Sequence, residues 1–242
     1  MKTPISVAIT IIILMLSQSC RPLYVPNAQN VPILKEKNDI SVNIGFNDLQ
    51  GAVAVSNNIG IMLNGYTNNI DLGFDWDDDE KTNRSFIEAG AGYFTQLSGS
   101  SVFEIYGGAG LGSFSLEKSD SGGAYSANNS RFFIQPGISF SSNAIDLVIS
   151  CRFVKYGIND PDLSRYNTQG FFSKDISDAH NNSYYFAEPA LTLKAGWRQV
   201  KAFMQLQVPK QLNSPMIDVD GAISLGVYLN CGERFKTEAL SN

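Results

Sequence analysis

The sequence predicts an all-β chain, folded as an antiparallel up-and-down barrel of about ten strands, and three observations carry that prediction. Apolar residues recur with period two from Asp39 onward, and no later stretch has a 3.6-residue period. Strand-like segments can be cut at 39–47, 49–57, 59–68, 84–96, 101–116, 130–141, 143–156, 184–198, 200–208 and 218–230, an even number, several of them ten residues or longer. The connections alternate in length: Ser56-Asn57-Asn58, Leu97-Ser98-Gly99-Ser100, Ser141-Ser142-Asn143 and Arg198-Gln199 are tight, whereas 69–83, 117–129 and 157–183 are long. Ten-residue strands, tight turns at one end and long loops at the other describe a barrel of the outer-membrane type.

The elements follow in chain order. Residues 1–19 read as a signal peptide: Met1-Lys2 is a small positive region, and Ile5 to Leu16 is an apolar run. Those twelve residues are too few for a spanning helix, which needs about 20. The following Ser17-Gln18-Ser19-Cys20 resembles a bacterial lipobox, which implies acylation of Cys20, with palmitate among the chains. Residues 20–38, with prolines at 22, 26 and 32, should be irregular and lie on the periplasmic side. The barrel occupies 39–230, and 231–242 is a polar tail. Tight turns after strands two, four, six and eight put both chain ends on the tight-turn side.

Period two does not by itself say which face is inside, since a soluble barrel has the same alternation with its apolar face inward. The contents of the two phases argue for an outward apolar face. One phase carries Ile87, Ala89, Ala91 and Tyr93, then Phe132, Ile134, Ile138 and Phe140, then Ile145, Leu147, Ile149 and Phe153. The other carries Glu88, Glu104, Arg131, Arg152, Glu188, Lys194 and Arg198 among Gly90, Gly92, Gly108, Gly110 and Gly112. Gly packs nothing on a solvated strand face, but in a narrow lumen it leaves room for long side chains. Those seven charged residues are therefore expected to form a lumen network, pairing across the barrel and closing it. Tyr93, Phe94, Phe114, Tyr156, Tyr184, Tyr185 and Trp197 gather near strand ends, where interfacial girdles belong. Phe133-Ile134-Gln135-Pro136 and Phe186-Ala187-Glu188-Pro189 place a proline in the apolar phase of a strand, which should mark a bulge or bend.

Composition removes several function classes. The net charge is −5, so there is no basic surface for nucleic acid. One His and three Cys, with no C-x-x-C pair, leave few ligands for zinc, and no cofactor is implied. Asp75, Asp77 and Asp79 have the alternate spacing of a calcium loop, but Glu80 stands where an EF-hand turn needs Gly, so a solvated acidic loop is the simpler reading. His180 lies in the longest loop with Asp175, Ser177 and Asp178, without a specified nucleophile. Cys151 and Cys231 lie on strands that are not neighbours in a meander and should stay free thiols.

Tyr24-Val25-Pro26-Asn27 after the lipobox Cys, Asn57-Asn58-Ile59-Gly60-Ile61-Met62, Phe103-Glu104-Ile105-Tyr106-Gly107-Gly108 and Phe133-Ile134-Gln135-Pro136 resemble a family of uncharacterised Bacteroidetes outer-membrane β-barrel lipoproteins. The likeness spans roughly 20–230 and carries no assigned activity; because composition leaves most enzyme classes without support, a non-enzymatic protein of the cell envelope is expected. Its partners would be outer-membrane lipid and an envelope protein complex. Surface-exported lipoproteins of that phylum often carry an acidic stretch after the Cys. Arg21-Pro22-Leu23-Tyr24 has none, so the resemblance implies a lipid in the periplasmic leaflet. The competing expectation is a soluble lipid-anchored barrel with a small hydrophobic ligand in an apolar interior. The two differ in where Ile145, Leu147 and Ile149 point.

Overall fold

In a computed structural model, residues 24–67, 80–118, 123–162, 182–213, 219 and 221–232 are described. They form β1 (Ile40–Gly45), β2 (Asp48–Ala54), β3 (Ile59–Thr67), β4 (Glu80–Ser98), β5 (Ser101–Lys118), β6 (Gly123–Ser141), β7 (Ile145–Asp162), β8 (Ser183–Gly196), β9 (Val200–Gln207), β10 (Lys210–Gln211) and β11 (Ala222–Asn230). Neighbours from β1 to β9 pair antiparallel in chain order. β11 lies between β9 and β1 and closes the ring through Leu225↔Met204 and Asn43↔Tyr228. The result is the expected ten-stranded closed barrel, with β10 as a two-residue extra strand on β8. Asp75, Asp77, Asp79, His180 and Cys20 fall outside the described residues. Cys151 and Cys231 are free thiols.

The apolar phase faces outward. Ile145 and Ile149 are 53% and 51% exposed, while Asp146, Val148, Ser150 and Arg152 between and beyond them are buried. Ile59, Ile61, Leu63, Ile87, Leu111, Ile134, Leu191, Leu193, Ile223 and Leu225 are likewise exposed and continue the belt around the wall. Outward aromatics bound this belt: Tyr93, Phe140 and Trp197 toward the tight turns, and Phe46, Phe132, Phe153 and Tyr185 toward the long loops. Eight residues separate Phe132 from Phe140 on β6. At about 3.4 Å per residue and a tilt near 40°, the two rows stand about 20 Å apart along the barrel axis. Beyond the second row the outward positions turn polar, with Ser85, Ser113, Asn128, Lys155 and Asn159 all exposed.

Only three of the seven expected girdle aromatics lie on the outer surface. Phe94, Phe114, Tyr156 and Tyr184 are buried inside, because strand alternation sends Tyr93 and Phe94, or Tyr184 and Tyr185, to opposite faces. Much of the sequence expected to be long loop is strand instead, since β4 to β7 run past the belt as far as Glu80, Lys118, Gly123 and Asp162. Of the bulge or bend expected at each proline, the bulge is absent. The β6–β7 register is the same on either side of Pro136, from Ile134↔Phe153 to Gly137↔Ser150, and Pro189 stays in register with Cys151. Each proline withholds one ladder donor without adding a residue, so there is no bulge; the register shifts instead fall at Gln96/Ser98 and Ser126/Asn128.

Gly92, Gly108 and Gly112 lie against inward aromatic rings, and Gly110 against both Phe86 and Glu88. A Cβ on Gly108 would stand 2.6 Å from the Phe133 ring, and one on Gly92 2.5 Å from the Tyr106 ring. On Gly112 it would stand 2.2 Å from Phe86. Gly108→Val is therefore expected to destabilise the barrel by about 1–3 kcal/mol through overpacking. Gly99, whose Cβ would meet nothing within 4 Å, should tolerate Ala. Heat-modified gel mobility of the two purified variants in detergent checks the contrast, and equal stability would contradict the packing.

Candidate functional site in the barrel lumen

The largest departure from expectation is the segment before the first strand. Residues 24–34 do not lie outside one end of the barrel; they run through it, and Tyr24, Gln29, Asn30, Val31, Ile33 and Leu34 are at most 3% exposed. The segment enters at the long-loop end, where Tyr24 stacks on Phe186 at 3.9 Å, meets Tyr156 edge-on and bridges to Val219 just before β11. It leaves at the tight-turn end, where the Lys35 carbonyl accepts from Gln96 and the Lys37 N–H donates to Asn57. Asp39 then turns the chain into β1, its carboxylate accepting the N–H groups of Lys35 and Glu36.

An irregular segment in a lumen has no strand partner for its backbone, so side chains of the wall must supply one. Six consecutive carbonyls are satisfied in this way. Asn27 O accepts from Gln207 Nε2 at 3.2 Å, Ala28 O from Gln50 Nε2 at 3.0 Å, and Gln29 O from Gln205 Nε2 at 3.0 Å. Asn30 O accepts from Gln135 Nε2 at 2.7 Å, Val31 O from Lys194 Nζ at 2.6 Å, and Pro32 O from the Tyr228 hydroxyl at 2.6 Å. The donors come from β2, β6, β8, β9 and β11, so the segment is held from around the barrel. Gln205 acts twice, since its Oε1 also accepts the Gln29 N–H at 2.6 Å.

Glu104 ends the series. Its carboxylate accepts the N–H groups of Ile33 at 3.3 Å and Leu34 at 3.1 Å. Ile33 has φ 59°, a left-handed conformation that a β-branched residue rarely takes, and this bend turns two successive N–H groups toward one carboxylate.

Toward the long loops the expected charges cluster. Glu88 forms ion pairs with Arg152 at 3.2 Å and Arg131 at 3.6 Å, reaching from β4 to β6 and β7. Arg152 lies opposite Glu188 in the β7–β8 register and donates from Nε to Gln135 at 2.9 Å. Glu188 also accepts a hydrogen bond from the Tyr24 hydroxyl. Arg131 stacks against Phe86 and Tyr24, and Arg152 over Phe133. Glu88 thus pairs with both Arg131 and Arg152, with Glu188 opposite Arg152 in the register. Lys194 and Glu104 hold the lumen segment instead of pairing with the cluster; Lys194 also sits 3.5 Å from the Tyr228 ring.

Arg198 is a correction: it is exposed in the turn between β8 and β9, because β8 ends at Gly196 and the alternation stops there. Its place in a lumen pair is taken by Lys201, which bonds Asp146 at 2.7 Å at the tight-turn end. Lys201 alternates with Phe203, Gln205 and Gln207, all buried, so the period of β9 was the signal that could have found it. The amides were missed because a search for charges does not count them. Among the described residues, no three His, Cys, Asp or Glu side chains are placed to share a metal ion. No family model matches the chain, and no curated protein does.

Two sets of variants test the site. Glu88→Ala would leave two buried guanidinium groups without their carboxylate and should cost about 3–5 kcal/mol, whereas Arg198→Ala should stay within about 0.5 kcal/mol. Gln205→Ala removes both amide contacts to Gln29 and should cost about 1–3 kcal/mol. Denaturant unfolding of the refolded barrel in detergent ranks them, and an Arg198→Ala loss as large as that of Glu88→Ala would contradict the assignment.

Proposed function

We propose that this chain is a non-enzymatic outer-membrane β-barrel lipoprotein with a closed lumen, serving as a structural barrel or as one subunit of an envelope assembly. The observation that carries the reading is the outer wall, an apolar belt between two rows of aromatics around an interior rich in amides and charges. Apolar side chains of that size on every strand have a large cost in water and none in lipid. The occupied lumen supports closure: a path for ions would need the space now held by Tyr24, Gln29 and Leu34. A structural role fits the same fact, since the interior side chains are engaged with the protein's own backbone.

The carrier reading requires an apolar cavity inside. The outward position of Ile145 and Ile149, and the lumen segment itself, weigh against it. Assignment to the Bacteroidetes lipoprotein family and lipid on Cys20 rest on the sequence resemblance, and outer-membrane lipid and an envelope protein complex as partners belong to the same proposal.

Carbonate washing of isolated envelopes is the direct test, and the protein should stay in the membrane pellet. Cys20→Ala should lose the palmitate label yet remain there, because the belt holds the barrel without an anchor. Release of intact protein in the wash would overturn the membrane reading. In planar bilayers the purified protein should be silent, and steady conductance would overturn the closed lumen.

A further inference from the structure

We propose that the mature N-terminus emerges on the long-loop face of the barrel, so that a lipid on Cys20 inserts in the outer leaflet and the protein is anchored at the cell surface through its own lumen. This rests on the outer-membrane reading given above. It reverses the leaflet expected from the sequence.

The direction of the lumen segment carries the inference. Lys35 and Asp39 lie at the tight-turn end, beside Gln96 and the first residue of β1. From there the chain runs backward in sequence through Leu34 and Ile33 on Glu104, Val31 on Lys194 and Gln29 on Gln205, reaching Tyr24 between Tyr156 and Phe186. Tyr156 is three positions beyond the outward Phe153, so Tyr24 stands at or just past the aromatic row on the long-loop side. In barrels of this type the short turns face the periplasm and the long loops face outward.

Chain length then limits where Cys20 can be. Four residue steps join it to Tyr24, spanning at most about 14 Å when fully extended. Phe186 is ten positions from Gly196, where β8 ends at the tight-turn rim. That is about 33 Å along the strand and about 25 Å along the axis at the usual tilt. Cys20 can therefore reach the long-loop membrane surface but not the other one. The way back is also taken, because the lumen already holds the segment that Tyr24 begins.

Single cysteines in a Cys151→Ser, Cys231→Ser background test the proposal with a membrane-impermeant maleimide on intact cells. Asn128→Cys reports the long-loop face and Gly99→Cys the tight-turn face; both positions are exposed, and Gly99 has open space around its Cβ. Arg21→Cys and Leu23→Cys report the emerging segment, and two positions guard against one being shielded at the mouth. The expected result is labelling of Asn128→Cys and of Arg21→Cys or Leu23→Cys on intact cells, with Gly99→Cys labelled only after the outer membrane is permeabilised. If both N-terminal cysteines instead follow Gly99→Cys while Asn128→Cys labels on intact cells, the threading is overturned and the membrane barrel stands. If Asn128→Cys and Gly99→Cys respond alike, the barrel does not cross the membrane, and the proposal fails with the reading beneath it.

Discussion

The fold depends on one constraint: a peptide segment without secondary structure lies inside a ring of strands, and its backbone groups must find partners there. Each residue brings a carbonyl and, except for proline, an N–H, and burial without a partner costs about 1–3 kcal/mol per group. Six successive carbonyls from Asn27 to Pro32 would be prohibitive if left bare. Four glutamines, one lysine and one tyrosine meet them, each from a strand position whose alternation already points inward. Glutamine suits the task because its long side chain reaches the axis and its amide both donates and accepts, as Gln205 does toward Gln29.

Charges are used where an amide would be too weak. The Ile33 bend puts a bulky residue in a left-handed conformation that costs on the order of 1–3 kcal/mol. Two N–H bonds to a carboxylate, at roughly 1.5–3 kcal/mol each, are enough to hold it. The strain at Ile33 and the position of Glu104 therefore explain each other. At the long-loop end the ion pairs of Glu88 with Arg131 and Arg152 sit among the rings of Phe86, Tyr24 and Phe133, so the desolvated guanidinium groups have both a carboxylate and π faces. Such a cluster is a poor source of net stability against an apolar filling but a strong discriminator of arrangement, since losing one member strands the others.

The wall was legible in the sequence and its filling was not, for one physical reason. Strands that bury one face impose period two, so Ile87, Glu88, Ala89 and Gly90 announce their faces, and a count of alternating runs recovers the ring. The segment from Tyr24 to Leu34 has no period, because successive carbonyls from Asn27 to Pro32 turn to different strands, and its prolines read as a linker. The pairs of Glu88 with Arg131 and Arg152 were legible because unlike charges in one phase tend to meet. Arg198 was misplaced through a strand end set two residues too late, and Lys201 was passed over although it shares the phase of Gln205. A sharper signal was present in the amides. Asn43, Gln50, Asn64, Gln135, Gln205 and Gln207 occupy inward positions of strands already paired on both sides, and wall strands have no use for so many extra donors.

Among buried apolar side chains such as Phe94, Val102, Phe133 and Phe186, the polar part of the filling is linked in series. An apolar core can shift a side chain into a small gap at modest cost, whereas here Gln135 links the Asn30 carbonyl to Arg152, and Arg152 leads on to Glu88. Gln29 likewise touches Gln205, Ser150 and the Glu188 backbone at once. Wall and filling are thus one hydrogen-bonded unit, in which the register of β2, β6, β8, β9 and β11 fixes the height of each carbonyl donor along the axis. A one-residue slip of any of them would turn its donors toward the outer face and leave carbonyls bare. The segment inside the barrel is therefore as much a constraint on strand register as the strands are its support, which a lumen closed by wall charges alone would not provide.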